Sequence, residues 1–383
     1  SIISPDVTSF VRNIQEDYEN ENLLFLGTEF GLYITIDGGK GWMKFTNNMP
    51  SVSVHFIDLQ KRTNDLVLGT HGRGVIIIDD ISPLRQLNEE SLVKELHFFN
   101  TKPAIIPESN GFGSTSTETQ FVGANASRNA KITYHLKKRH LLGKMAIEIQ
   151  DQSGNKITDL DAGKSKGVNI IDWNFLTKPP KLATGKTFAF GGFTSPRVPA
   201  GTYKVVIQKG KETYTSDLVV QYDPKSSIPL EDRKMNEATT RKLFNMSQEL
   251  AYMVYELDET VTAAETQKTK IPSSAKAVNP LLNELTKLKE TLVITTGDNY
   301  VGMGEPQLRE DMADLYSKVA QSHFKPSRSE FDNLEAIEGR FNAAKADFKK
   351  IKDKHLAKFT EVRTKNKLEP IVIKSYDEFL KGN

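Results

Sequence analysis

YITIDGGKGWMKF, Tyr33 to Phe45, followed by LVLGTHGRGVIIIDD, Leu66 to Asp80, decides the reading of the first part of the chain. The first segment spells a tight hairpin. Asp37 can turn its carboxylate onto the backbone N–H groups of Gly38, Gly39 and Lys40, and the glycines can take the positive φ values such a turn needs. Trp42 gives the returning strand a large apolar anchor. Fixing this turn requires no substrate, so the motif predicts structure before it predicts chemistry.

Working outward, LFLGTEFGLYIT and LVLGTHGRGVII align as two copies of one unit separated by roughly 43 residues, about the period of a propeller blade. VRNIQ and VHFIDL read as the strands that precede each copy. The spacing from Thr35 through Asp37 and Gly39 to Trp42, T-x-D-x-G-x-x-W, resembles the Asp-box of sialidase-type and sortilin-type β-propellers. In those families the box lies at the propeller periphery, away from the central cavity, so the resemblance implies a structural role for these four residues.

GTHGRG, a hydrophobic strand and DD-I-x-P-L, from Gly69 to Leu84, resemble the end of the last blade in large bacterial secreted proteins of the BNR-repeat, sortilin-like, glycosyl-hydrolase type. That resemblance implies a secreted, periplasmic or outer-surface location in a bacterium. It also implies a β-domain and then a helical segment after the propeller. Propellers typically need about four to eight blades, so two units cannot close a ring. The expectation is that upstream blades or a second polypeptide complete it, and the absence of an initiating methionine at Ser1 is read as a processed or truncated product.

Length and composition set the outer bounds. At 383 residues, two or three domains are expected. The formal net charge of +2 gives no basis for a nucleic-acid surface. The chain has no cysteine, which excludes disulfides, thiolate metal sites and cysteine nucleophiles. No apolar run is long enough to predict a transmembrane segment.

Downstream, residues 85–118, with Pro103, Pro107 and NGFGSTSTET, read as a linker. KITYHL, KMAIEIQ, GVNIIDWNF, AGTYKVVIQKG and ETYTSDLVVQYD then alternate as strands, with DQSGNK as a hairpin turn and Trp173 as the expected core aromatic. Residues 119–225 are thus expected to form an immunoglobulin-like or fibronectin-like β-sandwich. Residues 226–383 read as a bundle of about four helices. Their apolar stripes are Leu243 to Leu257, Leu281 to Leu292, Leu308 to Val319 and Phe331 to Ile351. Pro272, Pro280 and the stretch from Gly302 to Pro306 are expected to separate them, Ser327 with Glu330 forms a capping box, and the tail from Glu369 to Phe379 can dock back on the bundle or on another domain. The fold class is therefore multidomain: terminal propeller blades in residues 1–84, a β-sandwich and a C-terminal helical bundle.

For chemistry, His71 and Arg73 in GTHGRG are the ligand-binding candidates. Glycine-flanked polar residues at a strand start can be aimed into a channel, where arginine could hold an anionic group and histidine could titrate near neutral pH. The competing reading has Arg73 capping carbonyls between blades and His71 packed in the turn. No catalytic residue is assigned. Glycosidases ask for two carboxylates about 5 to 10 Å apart, whereas Asp79 and Asp80 are neighbours on a strand end whose side chains diverge. The other histidines form no HxH or HExxH pattern, and Asp298, Asn299 and Glu305 lack calcium-loop spacing. No metal or cofactor is expected. Two functions compete: a non-catalytic binding or scaffolding module for a protein partner or glycan, and the C-terminal portion of a glycoside hydrolase whose catalytic residues lie in upstream blades.

Overall fold

The computed structural model describes residues 5–108, 127–296 and 305–381. The chain is mixed β and α, with its long helices in the C-terminal region. It divides into two compact units. One holds Ser1–Phe175 and Ala200–Pro224, the other Leu176–Pro199 and Lys225–Asn383. No helix among the described residues is long and apolar enough to cross a membrane.

The first unit begins with an antiparallel four-stranded sheet, β1 (Val11–Glu16), β2 (Leu24–Thr28), β3 (Gly31–Thr35) and β4 (Met43–Lys44), in sequence order. A three-stranded antiparallel sheet follows, β5 (Ser53–Gln60), β6 (Asp65–His71) and β7 (Val75–Ile78). β2 and β3 are apolar at consecutive positions because both of their faces are covered. Phe25, Leu32 and Ile34 share a core with Val54, Ile57, Leu59, Leu66 and Leu68 of the second sheet. On the other face, Leu26, Tyr33 and Trp42 form a smaller cluster with Val7 and Leu24.

Two short helices, α1 (Ser82–Arg85) and α2 (Glu89–Val93), lead from β7 into the rest of the unit. Arg85 ties this exit back to the first sheet. Its Nε donates to Asp17, which is 2% exposed, at 2.9 and 2.5 Å, and its guanidinium lies 4.6 Å from the centre of the Tyr18 ring.

β8 (Leu96–Phe98) and β9 (Ala104–Ile106) come next, then β10 (Ala130–Leu136), β11 (Met145–Gln150), β12 (Lys156–Asp161), β13 (Gly167–Trp173), β14 (Gly201–Lys209) and β15 (Glu212–Tyr222). They form two sheets, ordered β13-β10-β8 and β12-β11-β14-β15-β9. Trp173, fully buried as expected, meets the Tyr203 ring of the other sheet edge-on at 5.5 Å. The expected 85–118 linker needs correction in its described part. β8 pairs antiparallel with β10, and β9 pairs parallel with β15. Leu96, Phe99 and Ile106 are buried, so the apolar residues before and between the prolines give this segment a reason to join the sheets. NGFGSTSTET lies outside the described residues.

The second unit contains α3 (Leu230–Lys270), α4 (Ala275–Leu292), α5 (Leu308–Gln321), α6 (Arg328–Lys365) and α7 (Tyr376–Lys381). The four long helices correspond to the four predicted stripes, and those stripes merge into one core through Leu250, Leu257, Leu285, Met312, Phe341 and Phe348. Ser327 and Glu330 form the expected capping box at the start of α6. The tail docks through Phe379, stacked on Tyr255 at 5.0 Å, and Tyr376, edge-on to Tyr252 at 5.4 Å. Pro280 is a correction, because α4 runs through it instead of stopping. Its missing N–H removes one helical hydrogen bond near the start of the helix, while Val278, Leu281 and Leu282 bury the turn around it. Asp298 and Asn299 fall outside the described residues.

Residues 176–199 were expected in the sandwich but belong to the helical unit. Their backbone supplies partners to α5 and to the residues just after α4. Arg309 donates to Thr187 O at 3.1 Å, Tyr316 donates to Thr194 O at 2.9 Å, and Lys186 N–H donates to Ile294 O at 3.0 Å. The helices therefore do not satisfy their own polar groups. Ser226–Asn383 produced alone should be helical by circular dichroism yet melt below the helical transition of the whole chain. Each orphaned buried group costs about 1–3 kcal/mol. Equal midpoints would show that residues 176–199 contribute nothing to the bundle.

Candidate functional site

The two N-terminal sheets repeat a local device that places polar side chains at one end of the strands. In the first sheet, Thr28 ends β2 and its hydroxyl donates to Gly31 O at 2.9 Å. In the second, Thr70 donates to Gly74 O at 2.7 Å. These hydroxyls close the two Gly-Thr turns and fix where the next residues, Glu29 and His71, emerge.

Each sheet also carries a β-bulge opposite its Gly-Thr pair. The β1–β2 register skips between Val11 and Asn13, and the β5–β6 register skips between Val54 and Phe56. Arg12 and His55 are the extra residues, and a bulge re-aims the side chain it inserts. Arg12 reaches Glu29 with Nε and a terminal guanidinium nitrogen at 2.8 and 2.6 Å. His55 stacks on His71 with ring centres 5.6 Å apart and planes 18° from parallel. Ser53, directly opposite His71 in the ladder, donates to Glu29 at 3.2 Å. This contact joins the two pairs into one row.

Electrostatics follow from that row. The Arg12 hydrogen bond holds the Glu29 carboxyl below its usual range, assisted by Ser53 and the charge of His55. Glu29 is therefore an engaged carboxylate, and no second carboxylate contacts it in the row. Arg73 sits at the tip of the Thr70–Gly74 turn, exposed, and makes no hydrogen bond or ion pair among the described residues. The carbonyl-capping alternative for Arg73 is thus not what its contacts show, and His71 packs on His55 at the surface. Sequence reasoning singled out His71 and Arg73 but missed Arg12, Glu29, Ser53 and His55. The available signal was the strand that precedes each copy of the repeat, in which VRNI and VHFI place Arg12 and His55 at equivalent positions.

Thr35, Asp37 and Gly39 gather at the opposite end of β3. Thr35, fully buried, donates to Asp37 Oδ1 at 2.6 Å and accepts the Gly39 N–H at 3.0 Å. The same carboxylate oxygen accepts the N–H groups of Lys40 and Gly41 at 2.9 and 3.0 Å. The expected set was Gly38, Gly39 and Lys40. Instead Gly38 donates to Asn22 O, and Gly41 takes its place because the turn is one residue wider. Gly38 and Gly39 have φ of 72° and 90°, which side chains other than glycine resist. Trp42 is 7% exposed, against Leu26 and Tyr33.

Elsewhere, His97 and His135 face each other across β8 and β10, and burial pushes both imidazoles below their usual value. No group of three or more histidine, aspartate and glutamate side chains suited to a metal exists among the described residues. Asp80 accepts the Ser82 N–H at 3.2 Å.

The turn makes a thermodynamic prediction. Hydrogen bonds from Thr35 and the Gly41 amide lower the Asp37 carboxyl below its usual value. A depressed folded-state value means that its stabilisation is present above about pH 3.9 and is lost as pH falls through the lower folded value. Because Asp37 is exposed, Asp37→Ala should cost about 1 kcal/mol in urea unfolding at pH 7, and its difference from wild type should shrink in acid. Trp42→Ala should cost about 3–5 kcal/mol at either pH. An unmoved midpoint in both variants would remove the structural role.

No protein-family profile matches the chain, and no curated protein matches it. Two similar solved structures are crystal structures of an extracellular domain from B. thetaiotaomicron, assigned to a hybrid two component system in one and to a one component system in the other. They are 10% and 11% identical to this chain, each match covering 57% of it, with TM-scores of 0.16 and 0.15. The matched regions make up 26% and 25% of those chains, so this chain spans about a quarter of their length.

Proposed function

We propose that this chain is a non-catalytic binding or scaffolding part of a secreted or cell-surface bacterial β-propeller protein of the Asp-box type. In this reading the two N-terminal sheets are terminal blades, and the paired sheets built from β8 to β15 are an immunoglobulin-like module. The helical unit is the segment that follows them. The ligand is an acidic group on a protein partner or glycan, received at the end of the sheets where Arg12, Glu29, Ser53, His55, His71 and Arg73 lie.

One observation carries this reading. Arg73 presents a guanidinium at the tip of a turn, with no protein partner among the described residues, two positions from a stacked histidine pair. Guanidinium matches carboxylate and phosphate geometry through paired N–H donors. The neighbouring arginine, Arg12, is already engaged by Glu29, so the row has one cation committed and one available. Glu29 is held ionised by that pairing, which suits it poorly to act as a general acid, and a hydrolytic pair would need a second convergent carboxylate.

Calorimetric titration with acidic oligosaccharides, sialyllactose and oligogalacturonate, tests the assignment. Binding without turnover is expected. Arg73→Ala should weaken it ten-fold to a hundred-fold, since a charge-assisted contact is worth roughly 1.5–3 kcal/mol. Asp37→Ala should leave it unchanged in the folded fraction. Equal affinity in a stably folded Arg73→Ala variant, or hydrolysis abolished by changing a carboxylate of this chain, would overturn the reading.

A further inference from the structure

A row of ion pairs joins α3 to α6 in the helical unit. Lys242, Glu249 and Glu256 of α3 pair with Glu338, Lys345 and Lys352 of α6, seven residues apart along each helix and 96 residues apart in the chain. The second and third pairs are 3.0 and 2.9 Å long. A constant separation means that the two helices run parallel, and the same register sets Tyr252 opposite Phe348 and Met253 opposite Lys349. Between the second and third pairs the row therefore has a lysine and no acid. Lys349 is exposed and makes no hydrogen bond or ion pair among the described residues.

A cleft of about 340 Å³ opens at this gap. Met253 and Phe348 are its floor, 6% and 4% exposed. Tyr252 and Tyr376 are its aromatic walls, edge-on to each other at 5.4 Å. Tyr376 is brought there by the tail, which is held by the Tyr252 hydroxyl donating to Lys374 O at 2.9 Å and by Phe379 stacked on Tyr255. Because α7 buries no residue of its own, these few contacts are what keep the wall in place.

We propose that the cleft binds a small aromatic carboxylate, with its ring among Tyr252, Phe348 and Tyr376 and its carboxylate on the Lys349 ammonium. Three observations carry the assignment. The cleft has the volume and the largely apolar lining of a small-molecule site, with polar groups at its rim. Three rings and a methionine sulfur offer an aromatic ligand edge-to-face and sulfur contacts beyond simple burial. Charge selects an anion, because three lysines meet two glutamates here and both glutamates are already paired, so a bound carboxylate faces one uncommitted cation and no free acid. Burial and the charge of Glu249 push the Tyr376 phenol above its usual value, which keeps that wall neutral. The site uses none of the residues around Arg73. Since the tail supplies one wall, a ligand that needs the wall also holds the tail down.

Calorimetric titration of the whole chain with 2-naphthoate tests the site, with 2-naphthalenemethanol as the uncharged counterpart and cyclohexanecarboxylate as the non-aromatic one. Naphthoate should bind saturably at one site and at least ten-fold more tightly than either. Lys349→Gln, folded by circular dichroism, should weaken naphthoate at least ten-fold and leave the alcohol unchanged. Lys350→Gln, which removes a lysine paired with Asp347, should change neither. Bound naphthoate should also slow amide exchange in Tyr376–Lys381. No saturable binding, equal affinity in folded Lys349→Gln, no preference for naphthoate over the two other compounds, or binding that leaves exchange in the tail unaltered would each overturn the proposal.

Discussion

The N-terminal unit depends on how closely one backbone approaches another at Gly27. A Cβ at this position would lie 2.6 Å from Val54 O and 3.0 Å from Val54 Cγ1. Only glycine lets β5 cross β2 at that distance. The approach brings Phe25, Leu32 and Ile34 onto the aliphatic face of the second sheet and creates the shared core. It also sets the two bulges near one another, so that Ser53 of one sheet reaches Glu29 of the other. The polar row is therefore a consequence of the apolar packing beneath it.

Two ion pairs at opposite ends of β1 behave differently because their surroundings differ. The side chains of Asp17 and Arg85 are buried, and the attraction within a buried pair does little more than offset its desolvation cost. Its value lies in geometry, since it fixes the exit from β7 against the first sheet. Arg12 and Glu29 are solvated, with side chains 45% and 33% exposed. Such a pair adds little stability and is screened by salt. It keeps Glu29 ionised and positions the surface beside His55.

The sequence was informative wherever short-range chemistry decides the outcome. Alternation located the strands, three-and-four spacing located α3 to α6, and Thr35, Asp37, Gly39 and Trp42 announced their turn. Spacing could not reveal that residues 176–199 belong with the helices, because their contribution is backbone carbonyl groups offered to Arg309 and Tyr316. The short strands β8 and β9 were hidden for a similar reason. Three residues each, they gain their identity from the neighbours they pair with. At the site, His71 and Arg73 stood out because glycines flank them. Arg12 and His55 did not, since a bulge is a property of two strands in register and neither strand displays it alone.

The most direct measurement of this account is amide hydrogen exchange on Gly27→Ala. If the close crossing of β2 and β5 holds the two sheets as one cooperative stack, exchange should accelerate together in Leu24–Thr28 and across Ser53–His71, while β10 to β15 keep their protection. Acceleration confined to β2, or none at all, would contradict the claim that the second sheet and its polar row depend on that crossing.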